Sequence, residues 1–146
     1  MKSISKLFLF VMVIFMVGGC ATSGPKFTEF APSISNMAPD TGRIYIYRPS
    51  AAGAAVRPDV KLNGEVIGEA ISYGFFYVDR KPGNYEIMTS TEVDRKLSLT
   101  LDEGQTRYVR LNISIGFFVG HVYPELVENE EGKKEIEDCR YIGQKK

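Results

Sequence analysis

Val60-Lys61-Leu62-Asn63-Gly64-Glu65-Val66-Ile67 decides the fold. Two short β-prone runs flank Asn-Gly, the dipeptide that best tolerates the positive φ values of a two-residue type I′ turn, so the stretch predicts a β-hairpin. Upstream, Arg43-Ile44-Tyr45-Ile46-Tyr47-Arg48 alternates aliphatic residues with tyrosines, which fits a strand with two different faces. Downstream, Gly74 to Asp79 reads as a strand. Lys81-Pro82-Gly83-Asn84 turns the chain into Tyr85 to Thr89, and Leu97, Leu99 and Leu101 alternate with Lys96, Ser98 and Thr100. After the turn at Asp102-Glu103-Gly104, Val109, Leu111, Ile113 and Ile115 form one side of a long strand. Phe117 to Val127 continues in strand-like composition, with Pro124 pointing to an edge or a bulge. Glu128 to Asp138 is charged and helix-compatible apart from Gly132, and Cys139-Arg140-Tyr141-Ile142 follows it. Short strands at this spacing predict an all-β domain over residues 41–146, an antiparallel sandwich or barrel with a short C-terminal helix.

Aromatic residues complicate the two-faced pattern. Ile71-Ser72-Tyr73-Gly74-Phe75-Phe76 and Ile113-Ser114-Ile115-Gly116-Phe117-Phe118 share the form I-S-x-G-F-F, but the match does not extend far enough to make an internal repeat. Adjacent phenylalanines on a strand point to opposite faces, so each pair sends one ring outside the main core. Those rings, with Tyr45, Tyr47 and Tyr108, need cover from the C-terminal helix, from loops or from a partner. A contiguous exposed patch of Phe75, Phe76, Phe117, Phe118, Tyr45 and Tyr47 would be the candidate interaction surface.

The N-terminus reads as an address. Lys2 and Lys6 precede an unbroken apolar run from Leu7 to Val17, and Gly18-Gly19-Cys20 closes it. This layout resembles a bacterial lipoprotein signal, over residues 1–19, in which the Cys20 thiol receives a diacylglyceryl group and cleavage frees an amine that is often acylated too. A helix from Leu7 to Ala21 rises only about 22 Å, short of a hydrocarbon core of about 30 Å, which argues against a span. Two or three acyl chains hold far more firmly than one. Ala21, rather than an aspartate, after the cysteine favours the outer membrane by resemblance to the sorting rule of enteric bacteria.

Loss of the first 19 of 146 residues leaves 127, and removing two lysines from a balance of 18 cations and 18 anions leaves a charge of −2. That near-neutral chain, with no basic block, offers no field for nucleic acid. From Ala21 to Asp40 the chain holds Pro25, Pro32 and Pro39 with glycine and hydroxyl residues and no apolar period, so residues 20–40 read as a flexible tether with a typical span of about 25 Å.

With Cys20 committed to lipid, Cys139 has no partner for a disulfide and reads as a buried, inert thiol. His121 is the sole histidine and has no nucleophile motif beside it, so a structural role is expected. The acidic pairs lack calcium-loop punctuation, and no cofactor or metal is expected.

The order Gly42 to Pro49, then Leu62-Asn63-Gly64 with Gly68, then Pro82-Gly83, then Gly104 with Tyr108-Val109-Arg110, then Asp138-Cys139-Arg140 resembles a family of small bacterial lipoproteins catalogued as domain of unknown function 2846. It is also similar to transthyretin-like and PEGA-type envelope modules. The resemblance implies a β-sandwich and no assigned activity. The leading functional expectation is a non-enzymatic, lipid-anchored domain facing the periplasm that binds or scaffolds an envelope protein or glycan. The alternative is a module for a lipid or cell-wall fragment held between the sheets. A hydrolase or redox protein using His121 or Cys139 ranks below both.

Overall fold

The structure, a computed structural model, describes residues 22–114 and 120–145. Among the described residues, nine strands form two sheets. They are β1 (Gly42–Tyr47), β2 (Asp59–Leu62), β3 (Glu65–Glu69), β4 (Gly74–Arg80), β5 (Gly83–Ser90), β6 (Asp94–Leu101), β7 (Thr106–Ser114), β8 (His121–Val127) and β9 (Arg140–Tyr141). A four-residue helix α1 (Phe27–Phe30) precedes them, and α2 (Asn129–Ile136) lies between β8 and β9. One sheet has the order β8-β7-β1-β4-β9 and the other β3-β2-β5-β6. The all-β sandwich with a short C-terminal helix is therefore present.

The deciding hairpin forms as its sequence requires. Asn63 and Gly64 take φ values of 49° and 87°, the left-handed pair of a type I′ turn, and Leu62 faces Glu65 across it. Its tip is tied to β5: the Asn63 N–H donates to the Glu86 carbonyl at 2.9 Å, and the Glu86 N–H donates to Asn63 Oδ1 at 2.8 Å. Pro124 sits on β8, an edge strand, as a residue without an N–H should.

The four-strand sheet is antiparallel throughout. The five-strand sheet is mixed, because β1 runs parallel to β7 and β4 parallel to β9. Each parallel pair joins strands far apart in the chain, a connection that local alternation does not encode. Between the sheets, Ile44, Ile46, Phe76, Val78, Val109 and Leu111 from one layer meet Val60, Leu62, Ile67, Ile87, Leu99 and Leu101 from the other. Gly68 makes room there: a Cβ at that position would stand 2.4 Å from the Phe76 ring.

Candidate functional site

The outer face of the five-strand sheet gathers most of the aromatic side chains singled out above. Strand alternation sends Ile44 and Ile46 inward and Tyr45 and Tyr47 outward, while Phe76 points into the sandwich and Phe75 away from it. The outward rings form a second core with Tyr108, Val127, Ile136 and Cys139. Tyr45 stacks on Tyr108 with centroids 5.2 Å apart.

Two segments from opposite ends of the chain close this layer. From the C-terminal side, α2 presents Ile136 and seats Gly132 on Tyr108, where a Cβ would come within 2.3 Å of the ring. From the N-terminal side, Phe27 meets Phe75 edge-on at 5.2 Å, and Phe30 stacks on Tyr141 at 3.9 Å. Backbone bonds fasten the arm: the Phe27 N–H donates to the Cys139 carbonyl at 2.8 Å and the Tyr141 N–H to the Pro25 carbonyl at 2.9 Å. Arg140 Nη1 donates to the Gly24 carbonyl at 2.7 Å, and the Thr22 hydroxyl donates to the Ser72 carbonyl. Gly24 adopts φ 142°, and a Cβ there would collide with the Tyr141 carbonyl oxygen.

Two sequence expectations are corrected here. Residues 22–34 are a docked arm and not a flexible tether, because Phe27 and Phe30 supply the apolar contacts that the Pro- and Ser-rich composition conceals. Tyr45, Tyr47, Phe75 and Phe76 are buried at 8%, 1%, 0% and 1% exposure, so these four present no interaction surface. Phe117, Phe118 and Cys20 lie outside the described residues.

Charged and hydroxyl groups at the margin of the covered face form several ion pairs and hydrogen bonds. The Tyr47 hydroxyl donates to Glu135 Oε2 at 2.7 Å, and burial, followed by that carboxylate, holds the phenol well above its ordinary range. Arg110 reaches Glu125, Glu131 and Glu135 at 2.9, 2.6 and 2.7 Å, joining β7 to β8 and α2. Burial works against its charge, but the three carboxylates outweigh it and raise the pKa. Arg43 grips Asp79 with two bonds of 2.6 and 2.8 Å, donates to the Ser35 carbonyl and lies 4.5 Å over the Tyr77 ring. The Asp79 bonds raise its pKa despite desolvation.

Arg48 is the residue that sequence reasoning missed. It is 1% exposed and donates to the carbonyls of Val56, Ala70, Ala52 and Gly53, at 2.7, 2.8, 2.6 and 3.0 Å. Its partners are backbone oxygens, and burial lowers its pKa. An arginine before Pro49 at a strand end carries no local sign of that role. Its guanidinium folds the loop after β1 around itself.

The reactive candidates are quiet. Cys139 is fully buried, and burial, reinforced by Asp138, pushes its thiol up to about 12, so it is protonated at neutral pH. His121 Nδ1 lies 3.0 Å from the Thr91 hydroxyl, but among the described residues no carboxylate bonds the ring to orient it as a base. Among those residues, too, no group of three or more His, Cys, Asp or Glu is placed to hold a metal ion. Surface grooves lie beside Arg95, Lys96, Ser114, Tyr123 and Pro124, and along the acidic side of α2 at Glu131, Glu135, Glu137 and Asp138. The space between the sheets, where the small-ligand reading placed a cavity, is occupied by aliphatic side chains and the Phe76 ring.

Comparison with known proteins agrees with the resemblance read from the sequence. The family model described as a protein of unknown function, DUF2846, matches residues 38–122, from just before β1 to the start of β8. A protein of Haemophilus influenzae, itself described as an uncharacterized protein, is 32% identical over 128 residues, covering 85% of this chain and 76% of that protein. No solved structure matches the chain.

Proposed function

The chain belongs to the DUF2846 family of proteins of unknown function, and on that premise we propose that it is a lipid-anchored envelope protein, attached through Cys20, whose β-sandwich binds or scaffolds another envelope component without catalysis. The carrying observation is the sequence Lys2 to Cys20: a basic start, the apolar run Leu7 to Val17, two glycines and a cysteine. Cysteine is the residue whose sulfur forms the thioether of a lipid anchor. Two or more acyl chains keep the mature protein on its membrane, and Ala21 favours the outer one, with the domain in the periplasm.

The placement of the aromatic rings supports a binding role at a sheet edge rather than on a sheet face. On the edge strand β8, exposed Leu126 offers an apolar contact for a partner, while Pro124 and the Val122 carbonyl bonded by Thr89 leave less of that edge free for strand pairing. The enclosed Cys139 stays protonated at neutral pH, and His121 is bonded to the Thr91 hydroxyl rather than to a carboxylate, which favours a role without catalysis.

Cells labelled with a palmitate analogue test the anchor. Wild-type protein is expected in the membrane fraction with label, and Cys20→Ser is expected unlabelled and retaining its signal segment. Equal labelling of the two would contradict the reading. Crosslinking in intact cells then tests the scaffold role: a specific envelope protein or glycan is expected, and a clean lane from correctly localised protein counts against it.

A further inference from the structure

Every strand end that gathers near the anchor can be traced through the registers. Tyr47, the last residue of β1, faces Phe75 near the start of β4 and Arg110 on parallel β7, while Gly74 faces Arg140 at the start of β9. Ser114 at the end of β7 faces His121 at the start of β8. Near the end of β5, Thr89 faces Val60, and its hydroxyl donates to the Val122 carbonyl. One end of the sandwich therefore carries the loop of residues 48–58, the loop of residues 70–73, the β5–β6 turn of residues 91–93 and the entry of the N-terminal arm.

Thr22 enters at this end, bonded to Ser72. Cys20 is two residues upstream, and two residues span at most about 7 Å. An acylated Cys20 thus brings its membrane almost to the surface of Ser72 and Tyr73, with no tether between.

The surface there differs from that of the far end. Ala51, Ala52, Gly53, Ala54 and Ala55 are all exposed, and Arg48 and Arg57 are the charged residues in the 48–58 and 70–73 loops. Tyr73 is 43% exposed although its backbone is fixed: its N–H donates to the Arg48 carbonyl at 2.8 Å, and its carbonyl accepts from the Arg140 N–H at 2.7 Å. It holds φ 51°, unfavourable for a bulky side chain, which marks an aromatic ring presented outward by an over-determined loop. Val93, 50% exposed, tops the neighbouring turn, flanked by the carboxylates of Glu92 and Asp94. Buried Arg48 adds a positive charge that no carboxylate among its hydrogen-bond partners offsets. At the opposite end, Asp40, Glu65, Lys81, Asp102 and Glu103 are exposed.

We propose that this end lies flush on the phospholipid surface that holds the anchor, with the 51–55 loop, Tyr73 and Val93 at the headgroup level. Tyrosine and arginine suit that interface, where an apolar body and a polar tip are both accommodated. The proposal rests on acylation of Cys20. Its consequence is a fixed orientation: the hairpin tip at Asn63-Gly64 and the acidic turn at Asp102-Glu103 point away from the bilayer.

The test uses the full lipidated protein in phosphatidylethanolamine and phosphatidylglycerol vesicles that carry a nitroxide-labelled lipid as quencher. A fluorophore is placed in turn at Tyr73→Cys, Val93→Cys and Lys81→Cys, since the lipid occupies the Cys20 sulfur and Cys139 is enclosed. Loss of most emission at positions 73 and 93, with none at 81, is expected. Equal quenching at the three positions, or greater loss at 81, overturns the orientation while leaving the anchor intact. Protein that fails to float with the vesicles overturns both. If Tyr73→Cys does not fold, Val93→Cys on its exposed turn carries the same comparison with Lys81→Cys.

Discussion

The two faces of the five-strand sheet are built from the same strands but sealed differently. The inner face is aliphatic apart from Phe76 and closes against a second sheet built of two hairpins, so its partners arrive as part of the sandwich itself. The outer face is aromatic and closes under α1, α2 and the residues around Cys139, which come from opposite ends of the chain. The contrast teaches that apolar burial alone organises the first face, whereas the second also depends on polar tips, a buried thiol and an arm from the N-terminal side. The DUF2846 match covers the inner architecture but stops short of α1, α2 and β9.

The largest effect should come from the inner face. Phe76→Ala removes a ring enclosed between two sheets and should cost about 3–5 kcal/mol, read as a shift of the urea midpoint. Phe75→Ala should cost less, because the arm at Phe27 and Phe30 can settle toward the space left behind. Equal costs would remove the distinction between the faces.

Alkaline pH should weaken the outer face next. The Cys139 thiol ionises from pH 9 in the unfolded chain but is held up to about 12 in the fold, so its stabilisation is complete below pH 9 and falls as pH rises from 9 to 12. Burial also keeps Tyr108 protonated up to about 12, which steepens the loss above pH 10. Wild-type stability should drop by a few kcal/mol over this range, and Cys139→Ala should flatten the part that begins at pH 9. Parallel curves for the two proteins would place the thiol in water.

Gly132→Ala separates propensity from packing. Helix propensity alone predicts a gain of about 1 kcal/mol, but the added methyl meets the root of the Tyr108 side chain, so a loss of about 1–3 kcal/mol is expected. The smallest effect is that of Tyr47→Phe. Losing the hydroxyl bond to Glu135 should cost about 1 kcal/mol, measured by denaturation at pH 7.

The space between the sheets was legible because period-2 alternation records both of its walls directly, Ile44 with Ile46 on one and Leu99 with Leu101 on the other, and because Asn63-Gly64 specifies a turn by φ alone. The split of Phe75 and Phe76 to opposite faces followed from the same geometry. The parallel pairing of β1 with β7 was not legible, since it depends on which distant strand closes the sheet. Nor was the arm: Phe27 and Phe30 sit among prolines and serines with too few residues to show a period, and only their tertiary partners Phe75 and Tyr141 reveal the role. Arg48 stayed hidden for a related reason, because the four backbone carbonyls that hold its Nη1 and Nη2 have no sequence signature. The proposed anchor rests on sequence alone, on the apolar run that ends in Gly18-Gly19-Cys20.

Hydrogen exchange of the amides at Phe27 and Tyr141 tests most directly whether the arm is part of the fold. Their bonds to Cys139 and Pro25 fasten it to the outer face. The account predicts that both exchange far more slowly than an open chain, and that Phe27→Ala accelerates them while β1 and β4 stay protected. Exchange of both amides at the open-chain rate in the wild-type protein, with β1 and β4 still protected, would contradict it: the arm would be a free tether and the outer aromatic face open.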